Sequence, residues 1–180
     1  GIGLEAARAF AYLGAGVIIA EIDRARGEAE KRRVEEETPG AVVSFYPVDL
    51  SDNTEVQQLC KDVKEKYGRV DVLFNNATVT PMGSVGEVPV ADWDRSYAVH
   101  LRAPLLMLEA FLPEMKKADR GVVVFVPSSG AAPYMGAYEV FKTSQVELSN
   151  TLAAELEGTG VYAYSIGPGL VKTETAMAAI

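Results

Sequence analysis

The sequence is poor in the residues that crosslink proteins or bind metals, with one cysteine and one histidine among 180 residues. A single thiol, Cys60, cannot form an internal disulfide, and no Cys/His cluster has the spacing of a zinc site. No apolar run approaches the ~20 residues that span a bilayer, and residues 1–3 do not resemble a signal peptide. We therefore expect a cytoplasmic protein with no metal and no contact with a membrane.

Positive charge is also scarce. The chain has 17 Lys and Arg residues against 25 Asp and Glu residues, a net charge of -8. This balance argues against nucleic acid or an anionic membrane as the partner and favours a small molecule. The composition, 48% hydrophobic and 23% charged, is that of one compact domain, which we expect to occupy residues 1–180.

Short β-branched runs alternate with longer amphipathic stretches along the whole chain, which is the pattern of an α/β protein. The strand-like runs are nearly continuous in apolar residues, as in parallel strands buried on both faces: 17–20, 42–45, 70–74, 122–126 and 161–164. The stretches with helical periodicity are 4–13, 24–37, 55–67, 91–117 and 137–157. The pattern predicts a doubly wound parallel sheet of the Rossmann type, with a helical layer on each face.

A glycine turn at the start of the chain suggests a phosphate site. Gly1 and Gly3 lead directly into a helix, where main-chain N–H groups and the helix dipole can approach a phosphate. Glu21 ends the next strand, where a carboxylate can accept hydrogen bonds from ribose hydroxyls. The alternative is an ordinary pair of packing glycines and an acidic residue. Because no strand precedes the glycine turn, we expect the first strand and the C-terminal part of the fold to be missing.

The segment after the fourth strand carries a possible acid/base pair. Tyr138 and Lys142 lie four residues apart, which places a phenol and an ammonium group on one helix face. Such a cation favours the phenolate, and a tyrosine needs that help to act near neutral pH. Ser129 follows the strand, at the edge where open α/β sheets bind ligands. A pair with this spacing can also be an ordinary surface pair.

Together these motifs resemble, in their order, those of the NAD(P)-dependent short-chain dehydrogenase/reductase family. The resemblance covers nearly the whole chain. It implies a catalytic set with Tyr138 as acid/base, Lys142 lowering its pKa and holding the nicotinamide ribose, Ser129 binding the substrate oxygen and His100 at the proton-relay position. It implies cofactor contacts from Gly1, Ile2, Gly3, Glu21, Asp49, Leu50, Asn76, Ala77, Tyr138, Lys142, Pro168, Gly169, Val171 and Thr173.

The resemblance also implies a small alcohol or carbonyl substrate and a homo-oligomer, either a dimer or a tetramer. Glu21 favours NAD as the cofactor, although NADP remains possible because Arg24 and Arg26 are near in sequence. The alternative function is a family member that kept the fold and lost oxidoreduction, as a binding protein or a cofactor-free lyase.

Three departures from the family pattern bear on activity. Thr78 replaces the glycine that usually follows Asn-Asn-Ala, and His100 replaces the usual asparagine. Ser129 lies nine residues before Tyr138, fewer than usual, so the intervening loop is short. Histidine can hold the same helix kink as asparagine, and its ordinary titration predicts loss of reductase activity below about pH 6. The alternative is that His100 is a packed helix residue without a catalytic part.

Overall fold

The computed structural model describes residues 1–128, 130, 132–169, 171–173 and 177. The chain forms two compact units, one made of residues 1–49 and 170–180 and the other of residues 50–169. The expectation of a single domain over 1–180 stays a prediction. No helix in the described part of the chain is long and apolar enough to cross a membrane.

The first unit is built from two helices and a pair of parallel strands. Helix α1 spans Ile2–Tyr12, strand β1 Val17–Glu21, helix α2 Arg24–Glu37 and strand β2 Val43–Pro47. β1 and β2 pair in parallel, so Glu21 lies opposite Pro47 at the carboxyl edge. Helix α2 packs closely on β2 at Gly27, where a Cβ atom would overlap the Phe45 ring.

The second unit contains a three-stranded parallel sheet in the order β3-β4-β5. Its elements follow the chain as helix α3 (Asn53–Tyr67), strand β3 (Val72–Asn75), helix α4 (Val90–Tyr97), helix α5 (Ala103–Lys117), strand β4 (Gly121–Phe125), helix α6 (Gly136–Glu155) and strand β5 (Val161–Ser165). Asp52 caps α3 by accepting hydrogen bonds from the Thr54 and Glu55 amides, and Gly68 ends that helix in a left-handed conformation.

Helices pack on this sheet and on one another. α3 packs against α5, and α6 packs against β5 and β4. Phe141 on α6 lies between two aromatic rings of α4, with ring centroids 5.9 Å from Trp93 and 6.1 Å from Tyr97. Cys60 is buried on α3, and burial raises the pKa of its thiol to about 11, which excludes a reactive thiolate.

The stretch 91–117, predicted as one helix, is instead two helices joined by a π-helical turn, Ala98–Arg102. Pro104 explains the interruption, because it has no N–H to donate to the carbonyl of His100 four residues earlier. The side chain of Gln145 donates to that carbonyl instead, at 2.8 Å. π-helical turns of this kind are frequent at functional sites.

Candidate active site

Three predicted catalytic residues meet in the second unit, beside the carboxyl edge of its sheet. Tyr138 and Lys142 lie on α6, and His100 lies in the π-helical turn. The His100 ring meets the Tyr138 ring edge-on, with 6.2 Å between centroids. His100 also lies near enough to Lys142 for the ammonium charge to lower the histidine pKa. The helical spacing of the tyrosine and the lysine therefore does place both at one site.

Lys142 is the most unusual of these side chains. It is only 3% exposed, and it makes no hydrogen bond or ion pair with the described residues. Burial lowers the pKa of its ammonium group from 10.5 to about 8. The alternative of a solvated surface pair is therefore wrong for this lysine. Burying a charged lysine to this degree is costly, and ionisable groups with shifted pKa values cluster at functional sites.

The pKa of the Tyr138 phenol shifts in the direction opposite to the one that the sequence predicts. The sequence predicts that Lys142 lowers this pKa, but in the structure the pKa is raised above 10.0 because burial penalises the phenolate. A hydrogen bond with the Ser128 hydroxyl opposes that shift, and the charge of Glu139 adds to it. Burial is the main cause of the raised pKa, and the charge of Lys142, which the sequence predicts to lower this pKa, is not among the causes.

The predicted serine, Ser129, lies outside the described residues. Its neighbour Ser128 provides the hydroxyl that hydrogen-bonds Tyr138. The sequence did not point to Ser128, because two adjacent serines fit the family motif. The spacing to Tyr138, which is shorter than usual, does not distinguish between them.

His100 and Thr78, the two departures from the family pattern, contact each other. His100 Nε2 lies 2.9 Å from the Thr78 hydroxyl and accepts a hydrogen bond from the Val79 amide at 3.3 Å. An amide N–H can only donate, so Nε2 is unprotonated and the neutral ring carries its proton on Nδ1. The Nδ1 atom has a weak interaction with the Ser96 backbone and no well-formed hydrogen bond within the described chain. The ring therefore joins the loop after β3 to the π-helical turn.

Burial changes the pH behaviour expected of His100. The ring is fully buried, and desolvation, with the Lys142 charge adding to it, lowers its pKa from 6.5 to about 3. The predicted loss of activity below about pH 6 through His100 titration is therefore wrong, because the folded protein keeps this ring neutral at that pH.

The loop after β3 is paired with the loop that precedes α6. The Gly83 amide donates to the Tyr134 carbonyl at 2.7 Å, and Gly83 and Met135 form an isolated parallel bridge. Gly136 has a φ of +52° and lies so close to the other loop that a Cβ atom there would be 2.9 Å from the Pro81 carbonyl oxygen. A nearby cavity of about 410 Å³ is lined by Val79, Thr80, Pro81, Asp92 and Arg95. Of the predicted catalytic residues that the structure describes, Tyr138, Lys142 and His100, none lines this cavity.

The predicted cofactor residues of the first unit lie at its strand ends and at the start of α1. Gly1 precedes α1, nothing lies within 4 Å of where its Cβ would be, and no described side chain caps this helix. Ile2 and Gly3 form the first turn. The Val48 amide donates to the Glu21 carbonyl at 3.1 Å, which brings Glu21 and Asp49 to one edge of the strand pair. Val171 and Thr173 belong to the same unit and are joined by a 2.8 Å backbone hydrogen bond.

The predicted cofactor residues of the second unit also follow strands. Asn76 and Ala77 come directly after β3, and Pro168 and Gly169 come after β5, where Gly169 has a φ of +64°. Leu50 begins this unit. Because β3, β4 and β5 are parallel, their carboxyl ends share one edge, which is where α/β sheets bind ligands. No group of three or more His, Cys, Asp or Glu side chains in the described residues could hold a metal ion.

Comparison with known proteins identifies the family. The family model for short chain dehydrogenases matches residues 1–179. The chain belongs to the short chain dehydrogenase family. An uncharacterized oxidoreductase of Thermotoga maritima is 34% identical to this dehydrogenase over 96% of the chain and 68% of that protein. A D-beta-hydroxybutyrate dehydrogenase of Rhizobium meliloti is 32% identical, with the same two coverages.

Solved structures agree with this membership. A metagenomic short-chain oxidoreductase, solved in complex with NADP, superposes on the dehydrogenase with a TM-score of 0.88 and 30% identity, covering 99% of this chain and 84% of that chain. The predicted fold class, a doubly wound α/β fold of the Rossmann type, is confirmed, as is the resemblance inferred from the motifs. The cofactors of this family are the nicotinamide dinucleotides NAD and NADP.

Proposed function

We propose that this short-chain dehydrogenase transfers a hydride between a nicotinamide dinucleotide and a small alcohol or carbonyl compound, with Tyr138 as the acid/base. The single observation that carries the proposal is the Lys142 ammonium group, which is buried and makes no hydrogen bond with the described residues beside the Tyr138 helix face. Because no described residue accepts a hydrogen bond from this group, its donors suit the hydroxyls of a ribose.

The chain's residues suit a dinucleotide at several points. The first turn of α1 after Gly1 offers main-chain N–H groups and the positive end of a helix dipole to a phosphate. Glu21 and Asp49 at one strand edge offer carboxylates for a ribose and a purine. The residues proposed to hold the cofactor are Gly1, Ile2, Gly3, Glu21, Asp49, Leu50, Asn76, Ala77, Tyr138, Lys142, Pro168, Gly169, Val171 and Thr173. When bound, the nicotinamide supplies or accepts the hydride.

The chain's own contribution is proton transfer and placement. Because burial raises the pKa of Tyr138, its phenol stays protonated at neutral pH and suits donation of a proton to a substrate carbonyl oxygen. Lys142, whose pKa is about 8, can return a proton to the phenolate near neutral pH. Ser128 binds the phenol, and Ser129 stays a candidate for the substrate oxygen. His100 holds the π-helical turn beside them, in the proton-relay position.

NAD is the proposed cofactor in preference to NADP. The Glu21 side chain stands at the end of β1 and accepts a hydrogen bond from the Asp23 amide at 3.0 Å. A carboxylate in this position repels a 2′-phosphate and accepts hydrogen bonds from a free ribose diol. The similar metagenomic structure holds NADP, so this preference rests on Glu21 alone.

Fluorescence titration of the full chain with NADH and NADPH, followed by a panel of aldehydes and ketones, tests the function. We expect binding of NADH tighter than that of NADPH and reduction of at least one carbonyl with consumption of NADH. A chain that binds neither cofactor and reduces nothing would contradict the proposal. It would favour the alternative of a family member that kept the fold and lost oxidoreduction. The homo-oligomer stays a prediction, which sedimentation velocity can test.

A further inference from the structure

A buried carboxylate stands beside the proposed acid/base and has no part in the mechanism above. Glu139 directly follows Tyr138 on α6 and is only 6% exposed. Its Oε1 atom accepts hydrogen bonds from the Gly130 amide and the Thr143 hydroxyl, both at 3.1 Å. Its Oε2 atom is buried without a hydrogen-bond partner among the described residues. Removing a carboxylate from water costs several kcal/mol, so its burial here needs a reason.

Helix stability alone does not explain the burial. Glu139 lies in the first turn of α6, where an acidic side chain is favoured by the helix dipole. An exposed side chain would receive that benefit without the desolvation cost. The bond to Gly130 is different, since it reaches back across the short loop between β4 and α6. The same loop contains Ser128, whose hydroxyl hydrogen-bonds the Tyr138 phenol.

We propose that Glu139 is a positioning residue of the reaction: its carboxylate ties the loop after β4 to α6, holds the Ser128 hydroxyl against the Tyr138 phenol, and places a negative charge beside that phenol. The inference rests on the proposed function for its catalytic meaning. The loop between β4 and α6 is shorter than the usual family pattern, and the Glu139–Gly130 hydrogen bond ties it to the first turn of α6.

The charge of Glu139 has an effect that a neutral anchor would lack. Burial is the main cause of the raised Tyr138 pKa, and the charge of Glu139 raises it further. The other polar groups around the phenol are the Ser128 hydroxyl, the neutral His100 ring and, one helical turn along α6, the Lys142 ammonium group. Within this set Glu139 is the carboxylate, so its removal leaves a cation and two neutral groups.

Glu139→Gln separates charge from anchoring, because the amide oxygen can still accept from Gly130. NMR titration of protein labelled with 13C at tyrosine Cζ measures the phenol directly, with the Tyr138 signal identified as the one missing in Tyr138→Phe. We expect the Tyr138 pKa to fall in Glu139→Gln. Thr143→Val is the matched control, because it removes the other partner of Oε1 and keeps the charge, so the Tyr138 pKa should stay near that of wild type.

Anchoring has its own measurement in amide hydrogen exchange at Gly130. Exchange should accelerate about tenfold or more in Glu139→Ala, equivalent to the loss of about 1.4 kcal/mol, and stay near wild type in Glu139→Gln. An unchanged Tyr138 pKa in Glu139→Gln, or unchanged Gly130 exchange in Glu139→Ala, would overturn the inference. Neither measurement needs turnover, so failure of the proposed function, seen as absent cofactor binding and carbonyl reduction, is a separate result. With turnover, alcohol oxidation in Glu139→Gln should reach its plateau at lower pH.

Discussion

Replacing Lys142 with methionine should make the protein more stable while removing its activity. The pKa of the ammonium group falls from 10.5 to about 8 because of burial, and each pKa unit corresponds to about 1.36 kcal/mol. The charged form therefore carries a penalty of about 3 kcal/mol in the folded state at neutral pH. Methionine has a similar length and no charge, so Lys142→Met should recover much of this energy. For a chain of this length, that raises Tm by roughly 2–4 °C per kcal/mol.

The stability difference between Lys142→Met and the wild type should depend on pH. Below pH 8 the lysine is protonated in both folded and unfolded states, and the penalty is fully present. Between pH 8 and 10.5 the folded state releases its proton first, so the stability of the wild type rises towards that of Lys142→Met. Urea unfolding at pH 7 and pH 10 measures both differences, with the exposed Lys116→Met as the control. A Lys142→Met variant that is no more stable at pH 7, or a difference that does not shrink at pH 10, would refute the reasoning.

The remaining predictions concern His100, Thr78 and Glu21. Burial lowers the pKa of His100 from 6.5 to about 3, so between these pH values only the unfolded state binds this proton. The wild type should therefore lose about 2 kcal/mol of unfolding free energy between pH 8 and pH 5 through this group. In urea unfolding, His100→Asn should lose less stability over the same pH range. Thr78→Gly and His100→Asn remove the same hydrogen bond. In a double-mutant cycle, the loss of unfolding free energy in the double mutant should therefore differ from the sum of the two single losses by about 1 kcal/mol. Additive losses would show that the two side chains are independent. Glu21→Ala should narrow the ratio of NADPH to NADH dissociation constants measured by fluorescence titration, and tighter binding of NADPH by the wild type would contradict the assigned role of Glu21.

Most of the elements could be predicted because their signals are local. The glycines and caps that end helices are readable, and α2 spans 24–37 as expected. The long helix predicted over 91–117 is interrupted because Pro104 deprives the His100 carbonyl of its helical donor. The proline was visible in the sequence, whereas the π-helical turn depends on Gln145, which reaches this carbonyl from another helix.

The candidate site was predictable where it depends on spacing and unpredictable where it depends on burial. Tyr138 and Lys142 share a helix face because they lie four residues apart. That Lys142 is buried, that His100 contacts Thr78, and that burial raises rather than lowers the pKa of Tyr138 follow from packing between distant segments. Glu139 was missed because a glutamate in a helix ordinarily faces solvent.

Comparison of Tyr138→Phe with wild type tests the central claim most directly. Both proteins are assayed for NADH binding by fluorescence and for carbonyl reduction by NADH consumption, with Tyr162→Phe as a control on a half-exposed tyrosine far along the chain. We expect Tyr138→Phe to bind NADH with nearly unchanged affinity and to reduce the carbonyl at least about a thousandfold more slowly. Tyr162→Phe should keep the NADH affinity and the turnover of the wild type. Turnover in Tyr138→Phe close to that of wild type would contradict the account.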